Sequence, residues 1–412
     1  MVATALALEV DFSAEEIRLR LRHKRSSPMP SKPKIDEQYV LKFMESLFID
    51  DLHAKRVLSL SHATLGAIHA ASLAIHLIGI GMAEARGVNP KHAIKQVDRL
   101  LDNRAINVWT LFSAWVPFVL GDRRKILVAL DWTEHDHDDQ STIAINLVTS
   151  HGRATPLLWK TVRKSALKDR RNEYEDEVIE RLAAVLPEGV KVTLLADRGF
   201  GDQKLYGLLQ ELHFDFVIRF RECIQVASAA GEMRTAAEWV PAKGRARMLR
   251  GASVTADRSP VPAVVCVQEP GMKEAWCLAT SRADLAPKQV VELYGRRFTI
   301  EENFRDTKDA HFRMGLSQTH INDPDRRDRL LLVAALAQAL ITLLGAAGES
   351  LGMDRMLKAN TVKKRTHSLF RQGLHYYRAA PMMPEERLKP LMQRFGEMVR
   401  AQRVCIEILG IL

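Results

Sequence analysis

Cysteine is scarce in this chain: Cys223, Cys266, Cys277 and Cys405 are scattered among 412 residues, with no Cys-x-x-Cys pair. A disulfide-stapled scaffold and a cysteine zinc site are thereby disfavoured, and a reducing compartment fits best. There is no basic segment followed by a long apolar run at the start, where Glu9 and Asp11 stand close behind the first apolar residues. No secretory signal is expected, and the protein is expected to stay inside the cell. Internal repeats and low-complexity tracts are missing too. Long apolar runs are nearly missing: only Leu330 to Ala347 approaches the length of a membrane span, and Gln338 and Thr342 interrupt it. We read it as a buried helix of a large core and expect no membrane partner. Acidic residues are the minority, 50 against 60 Lys and Arg, which leaves a net charge of +10. That balance favours a polyanionic partner, nucleic acid first, bound with a salt slope of roughly −0.9 per phosphate contacted on duplex DNA.

What is present is ordinary for a folded protein, with 47% hydrophobic and 27% charged residues. The length implies two or three structural units. Residues 1–38 read as a basic arm, because Arg18, Arg20, Arg22, Lys24, Arg25, Lys32 and Lys34 stand without an acid while Pro28, Pro30 and Pro33 break the run. It would track phosphates or remain a solvated tail. Residues 39–122 read as a helical DNA-binding domain, from apolar recurrences such as Leu73, Leu77, Ile80 and Ile94, Val97, Leu101. Asn89-Pro90 marks a helix start, and the segment Lys91 to Arg104 carries Lys91, Lys95, Arg99 and Arg104 opposite an apolar face. Such a helix suits DNA or plain solvent.

From residue 123 the pattern turns to strands: Ile126 to Asp131, Thr142 to Thr149 and Ala154 to Trp159. A helix over Glu173 to Leu186, a strand over Lys191 to Ala196, a helix over Lys204 to Leu212 and a strand over Phe214 to Phe220 follow. Three strands and then strand–helix alternation is the order of an RNase H-like α/β core, assigned to residues 123–220 and 286–350. Residues 221–285 read as a β-rich insertion, and 351–412 as a helical C-terminal region holding Lys363-Lys364-Arg365.

Asp131 closes the first predicted strand, and Asp197 closes the strand Val192 to Ala196 with Gly199 behind it to permit a tight turn. Carboxylates outside the carboxyl ends of parallel strands are well placed for a metal, although each would also serve as a simple cap. Pro287 is expected to open one long helix reaching Lys308. Tyr294, Arg297, Glu301 and Lys308 then fall at offsets of 3, 7 and 14, a single stripe beside the apolar seam of Leu293, Ile300 and Phe304.

The spacing Tyr294-x2-Arg297-x3-Glu301-x6-Lys308 resembles the signature of insertion sequence family four, bacterial cut-and-paste transposases with a DDE triad. The segments 97–103, 129–132, 196–200 and 301–308 resemble family segments in the same order, so the likeness covers roughly residues 50 to 380. The resemblance implies that Asp131, Asp197 and Glu301 are catalytic metal ligands, for two Mg2+ with Mn2+ as substitute. It implies that Tyr294, Arg297 and Lys308 contact the DNA end, and that Trp276 stacks on a base flipped out as a hairpin forms. Trp276 would otherwise be a core residue of the β insertion. Arg305 and Lys363, Lys364 and Arg365 are added as DNA-binding candidates. The implied partners are terminal inverted repeats, target DNA and a second copy in a homodimer. Two other readings stay open: a catalytically silent DNA-binding descendant of a transposase, and an RNase H-like nuclease without strand transfer. The run 133–139, with His135 and His137, reads as an ordinary turn after the first strand rather than a second metal site.

Overall fold

The computed structural model describes residue 35 and residues 37–242, 244–308 and 314–400, so the basic arm of residues 18–34 and Cys405 lie outside the described residues. Five helices come first: Glu37–Phe48 (α1), Ala54–Ala70 (α2), Ile75–Arg86 (α3), Pro90–Asp102 (α4) and Val108–Leu120 (α5). The start of α4 is fixed as its sequence suggests. The Asn89 side chain accepts the Lys91 N–H at 2.9 Å and Pro90 occupies the first turn, where its missing N–H costs nothing. Leu77 and Ile80 depart from the expected apolar face, for each is 36% exposed. In α3 the inward residues are instead Ile78, Gly79, Gly81, Met82 and Ala83. The reason is steric: a Cβ on Gly79 would stand 2.5 Å from the Ile94 Cα, so α3 meets α4 through its glycine side.

Next come Lys125–His135 (β1), Gln140–Leu147 (β2), Thr155–Arg163 (β3), Arg171–Val185 (α6), Lys191–Ala196 (β4), Gln203–Glu211 (α7) and Asp215–Phe220 (β5). Residues 221–285 supply Gln225–Ala227 (β6), Met233–Thr235 (β7), Arg247–Val254 (β8), Ser259–Val267 (β9) and Trp276–Thr280 (β10). They extend the same sheet. Its order is β3-β2-β1-β4-β5-β10-β9-β8-β6-β7, with β1–β4 and β4–β5 parallel and the other neighbours antiparallel. Cys266 and Cys277 face each other in register across β9 and β10 as free buried thiols.

Each face of the central strands is apolar, as a parallel sheet covered on both sides demands. Val128, Leu130, Leu194 and Ala196 belong to the larger core with α6 and α7, while Leu127, Ala129 and Leu195 pack against Val290, Tyr294 and Ile300. Those last three residues lie on Pro287–Gly295 (α8) and Phe298–Lys308 (α9). The single long helix expected here is two helices. At the junction the Arg296, Arg297, Thr299 and Ile300 N–H groups donate to carbonyls three residues back, a tightened turn following Gly295. The chain continues through Pro324–Ser350 (α10), Leu369–Ala379 (α11) and Glu385–Arg400 (α12). Helix α10 is long and apolar enough to cross a membrane, yet it lies almost wholly buried inside the protein, and Gln338 donates to the Thr307 hydroxyl at 3.0 Å.

Candidate active site

Asp131 does not close its strand. β1 runs four residues further because β2 pairs with it through His135, so Thr133 to His135 are strand rather than turn. What ends at Leu130 is the parallel ladder with β4, whose last registered pair is Leu130 with Ala196. Asp131 and Asp197 are therefore the next residues on two adjacent strands, on the face covered by α8 and α9. Asp197 also caps the short turn Arg198–Phe200, its Oδ1 accepting the Gly199 N–H at 2.8 Å. A Cβ on Gly199 would come within 3.1 Å of that oxygen, so glycine serves here by making room beside the carboxylate.

Glu301 enters from the first turn of α9, with its side chain about half exposed. Between it and Asp131 lies the Arg297 guanidinium, whose side chain is only 6% exposed. Its Nη1 donates to Asp131 Oδ2 at 3.3 Å and its Nη2 to Glu301 Oε1 at 2.5 Å. Burial pushes the Asp131 carboxyl up to about 6; the charges of Asp197 and Glu301 add to the rise, and Arg297 and the Trp132 N–H oppose it. Three carboxylates distant in sequence thus share one neighbourhood. Among the described residues, no group of three or more His, Cys, Asp or Glu side chains stands arranged to hold a metal. The donor chemistry fits a divalent ion nonetheless, because all three are hard carboxylate oxygens and two of them already clasp a cation.

The stripe of four residues is divided. Tyr294 is 1% exposed, and the Trp276 ring meets it edge-on at 4.8 Å between centroids. Trp276 itself is half-buried and also lies 6.2 Å from Phe298. The Arg297 guanidinium sits 5.8 Å from the Tyr294 ring and 5.2 Å from Phe298. Lys308, about two turns beyond Glu301, donates to the Glu134 carbonyl at 2.7 Å, and burial lowers its pKa. Arg305 is exposed and pairs with Glu302. Lys363 and Lys364 are exposed between α10 and α11, whereas Arg365 is committed to Glu349 and to the Ser150 carbonyl. In the histidine-bearing run, Asp138 pairs with buried Arg327, and burial drives the His135 pKa down to about 2.

Four neighbours of the site carry no role in the sequence pattern. The Trp132 indole N–H donates to buried Glu175 at 2.8 Å, and the Arg171 guanidinium lies 4.8 Å over that indole. Phe298 is 45% exposed beside Arg297 and Trp276. Position offered a signal for two of them, since Trp132 follows Asp131 and Phe298 follows Arg297. Nothing along the chain linked Glu175 to Trp132.

A family model described as a transposase DDE domain matches residues 127–340, just over half of the chain. A search of curated proteins returns no match. The matched span opens in β1, carries Asp131, Asp197 and Glu301, and ends inside α10, so it encloses the carboxylate neighbourhood, and the chain belongs to the DDE transposase domain family.

Proposed function

We propose that this protein is a cut-and-paste transposase of the insertion sequence family four type, acting on the ends of a mobile element through Asp131, Asp197 and Glu301. The observation that carries the reading is the convergence of these carboxylates around Arg297 at the edge where the parallel strands end. The strand order β3-β2-β1-β4-β5 supports an RNase H-like core under that edge. Asp131, Asp197 and Glu301 would hold two Mg2+, or Mn2+ as substitute; such ions, when bound, neutralise the charge that builds up during an in-line displacement at phosphorus.

The chain's own residues have separate tasks in this reading. Arg297 holds Asp131 and Glu301 in place, and its buried Nε, which has no hydrogen-bond partner, is a donor for a phosphate oxygen. Tyr294 props the guanidinium from beneath, and Lys308 steadies α9 against β1 beside the DNA end. Trp276, half-buried and braced by Tyr294 and Phe298, receives a base unstacked as the cleaved end closes into a hairpin. Lys91, Lys95, Arg99 and Arg104 remain exposed because α4 packs through its other side, Ala93, Val97, Leu100 and Leu101, while Arg326 pairs with Asp98 and Asp102 on the same exposed face as the lysines. They grip the inverted repeats, with Arg305, Lys363 and Lys364 as further phosphate contacts and Arg365 as a brace for that patch. A homodimer joins the two ends.

A plasmid excision assay with the element's ends tests this. Asp131→Ala, Asp197→Ala and Glu301→Ala should each abolish excision while leaving end binding intact. Excision by any of the three at the wild-type level removes the mechanism. Joining of pre-cut ends separates a transposase from a nuclease, which would give no joined product.

A further inference from the structure

Lys125 and Lys191 open β1 and β4 as registered partners across the parallel ladder. Six residues later on the same strands come Asp131 and Asp197. Side chains alternate along a strand, so an even separation puts both pairs on one face, at about 3.3 Å per residue roughly 20 Å apart. One end of this face carries the paired carboxylates and the other carries paired ammonium groups. Like charges side by side on neighbouring strands cost stability. Neither lysine forms an ion pair with a described residue, nor does Arg296, which the tightened turn after α8 points to the same end.

These three cations line an open cavity of about 480 Å3 whose apolar wall includes Leu127 and Leu293. Arg282 lines it as well, but its charge is met locally: Asp284 accepts from it at 2.8 Å, and Asp215 stands 4.0 Å away. Asp215 and Asp284 line the cavity too, so four cations face two carboxylates and the concave site keeps a net charge of +2, the sign that backbone phosphates call for.

We propose that this cavity binds backbone phosphates of duplex DNA, at the opposite end of β1 and β4 from the carboxylates, with α8 and α9 packed on the sheet face between the two sites. The proposal rests on the transposase reading and deepens it by adding a second point of DNA attachment. Lys125 and Lys191 act as phosphate contacts that set the path of the duplex, and Arg296 closes the site from the helix side.

The test is the salt dependence of duplex binding between 50 and 200 mM KCl. For Lys125→Gln/Lys191→Gln the slope of log affinity against log salt should fall by about 2, and for Arg296→Gln by about 1. Both variants should unfold at wild-type temperature or above, since the substitutions relieve repulsion. An unchanged slope in both overturns the proposal. So does calorimetry in which tripolyphosphate binds wild type through the lysines while the duplex slope stays the same, because the cavity then serves a small polyphosphate. If wild type and Asp131→Ala bind duplex DNA alike and only the lysine and arginine variants fail to change the slope, this site alone is wrong. If wild type does not bind duplex DNA, the transposase reading itself falls.

Discussion

Arg297 stands where a bound cation would be useful, and its position gives a single residue two competing partners. In the DNA-free protein its guanidinium neutralises Asp131 and Glu301, so these oxygens are occupied by hydrogen bonds. On the proposed mechanism, a phosphate arriving at its unpartnered Nε would draw the guanidinium toward DNA and free the carboxylates. The expected consequence is that Arg297→Gln binds Mn2+ without DNA at least about tenfold more tightly than wild type, near 1.4 kcal/mol, by electron paramagnetic resonance titration. Arg297→Lys keeps the charge and should show no such gain. Equal Mn2+ affinity in wild type and the Gln variant, both folded, would refute this competition.

Among the elements, α10 and α11 cross more closely than side chains would allow. A Cβ on Gly345 would lie 1.9 Å from the Leu369 carbonyl oxygen, and one on Gly373 would lie 1.8 Å from that of Ile341. In both cases the obstacle is backbone, which cannot swing aside. Gly373→Ala should therefore lower stability by about 1–3 kcal/mol or more in urea denaturation, although alanine is the better helix former. A variant as stable as wild type would mean that the crossing is looser than described. The junction of α8 and α9 shows the complementary effect, in which periodicity alone forecast one helix. The three-residue hydrogen bonds after Gly295 turn the chain so that Tyr294 packs into the sheet while Arg297 reaches Asp131.

At the scale of the molecule, stability should respond to pH through Glu175, which is 5% exposed under the Trp132 indole. Burial raises its carboxyl from 4.5 to about 7, with the Trp132 hydrogen bond opposing. The folded state favours the protonated form, so the group's contribution is complete below pH 4.5 and is lost as pH rises through 7. Glu175→Gln keeps an acceptor for the indole and removes the titration. Relative to wild type it should gain stability between pH 5 and 8, up to about 3 kcal/mol. Denaturation curves at the two pH values check this, and a constant difference between the proteins would show that Glu175 does not titrate in that window.

The chain by itself determined the basic balance and the strand and helix sequence of the core, because alternation and helical period are local properties, and its motif spacing singled out the three acids as candidates. It also marked where β4 would end at Asp197. Tertiary structure alone decided that β1 runs past Asp131, since that depends on the length of β2 beside it, and that residues 221–285 extend the sheet through β10. It decided that Lys308 serves Glu134 while Arg297 serves the carboxylates, and that Lys125 lies beside Lys191 on the face shared with Asp131 and Asp197. These are relations between residues tens of positions or more apart, or across a bend. They are set by register and packing, which no periodicity within one segment records.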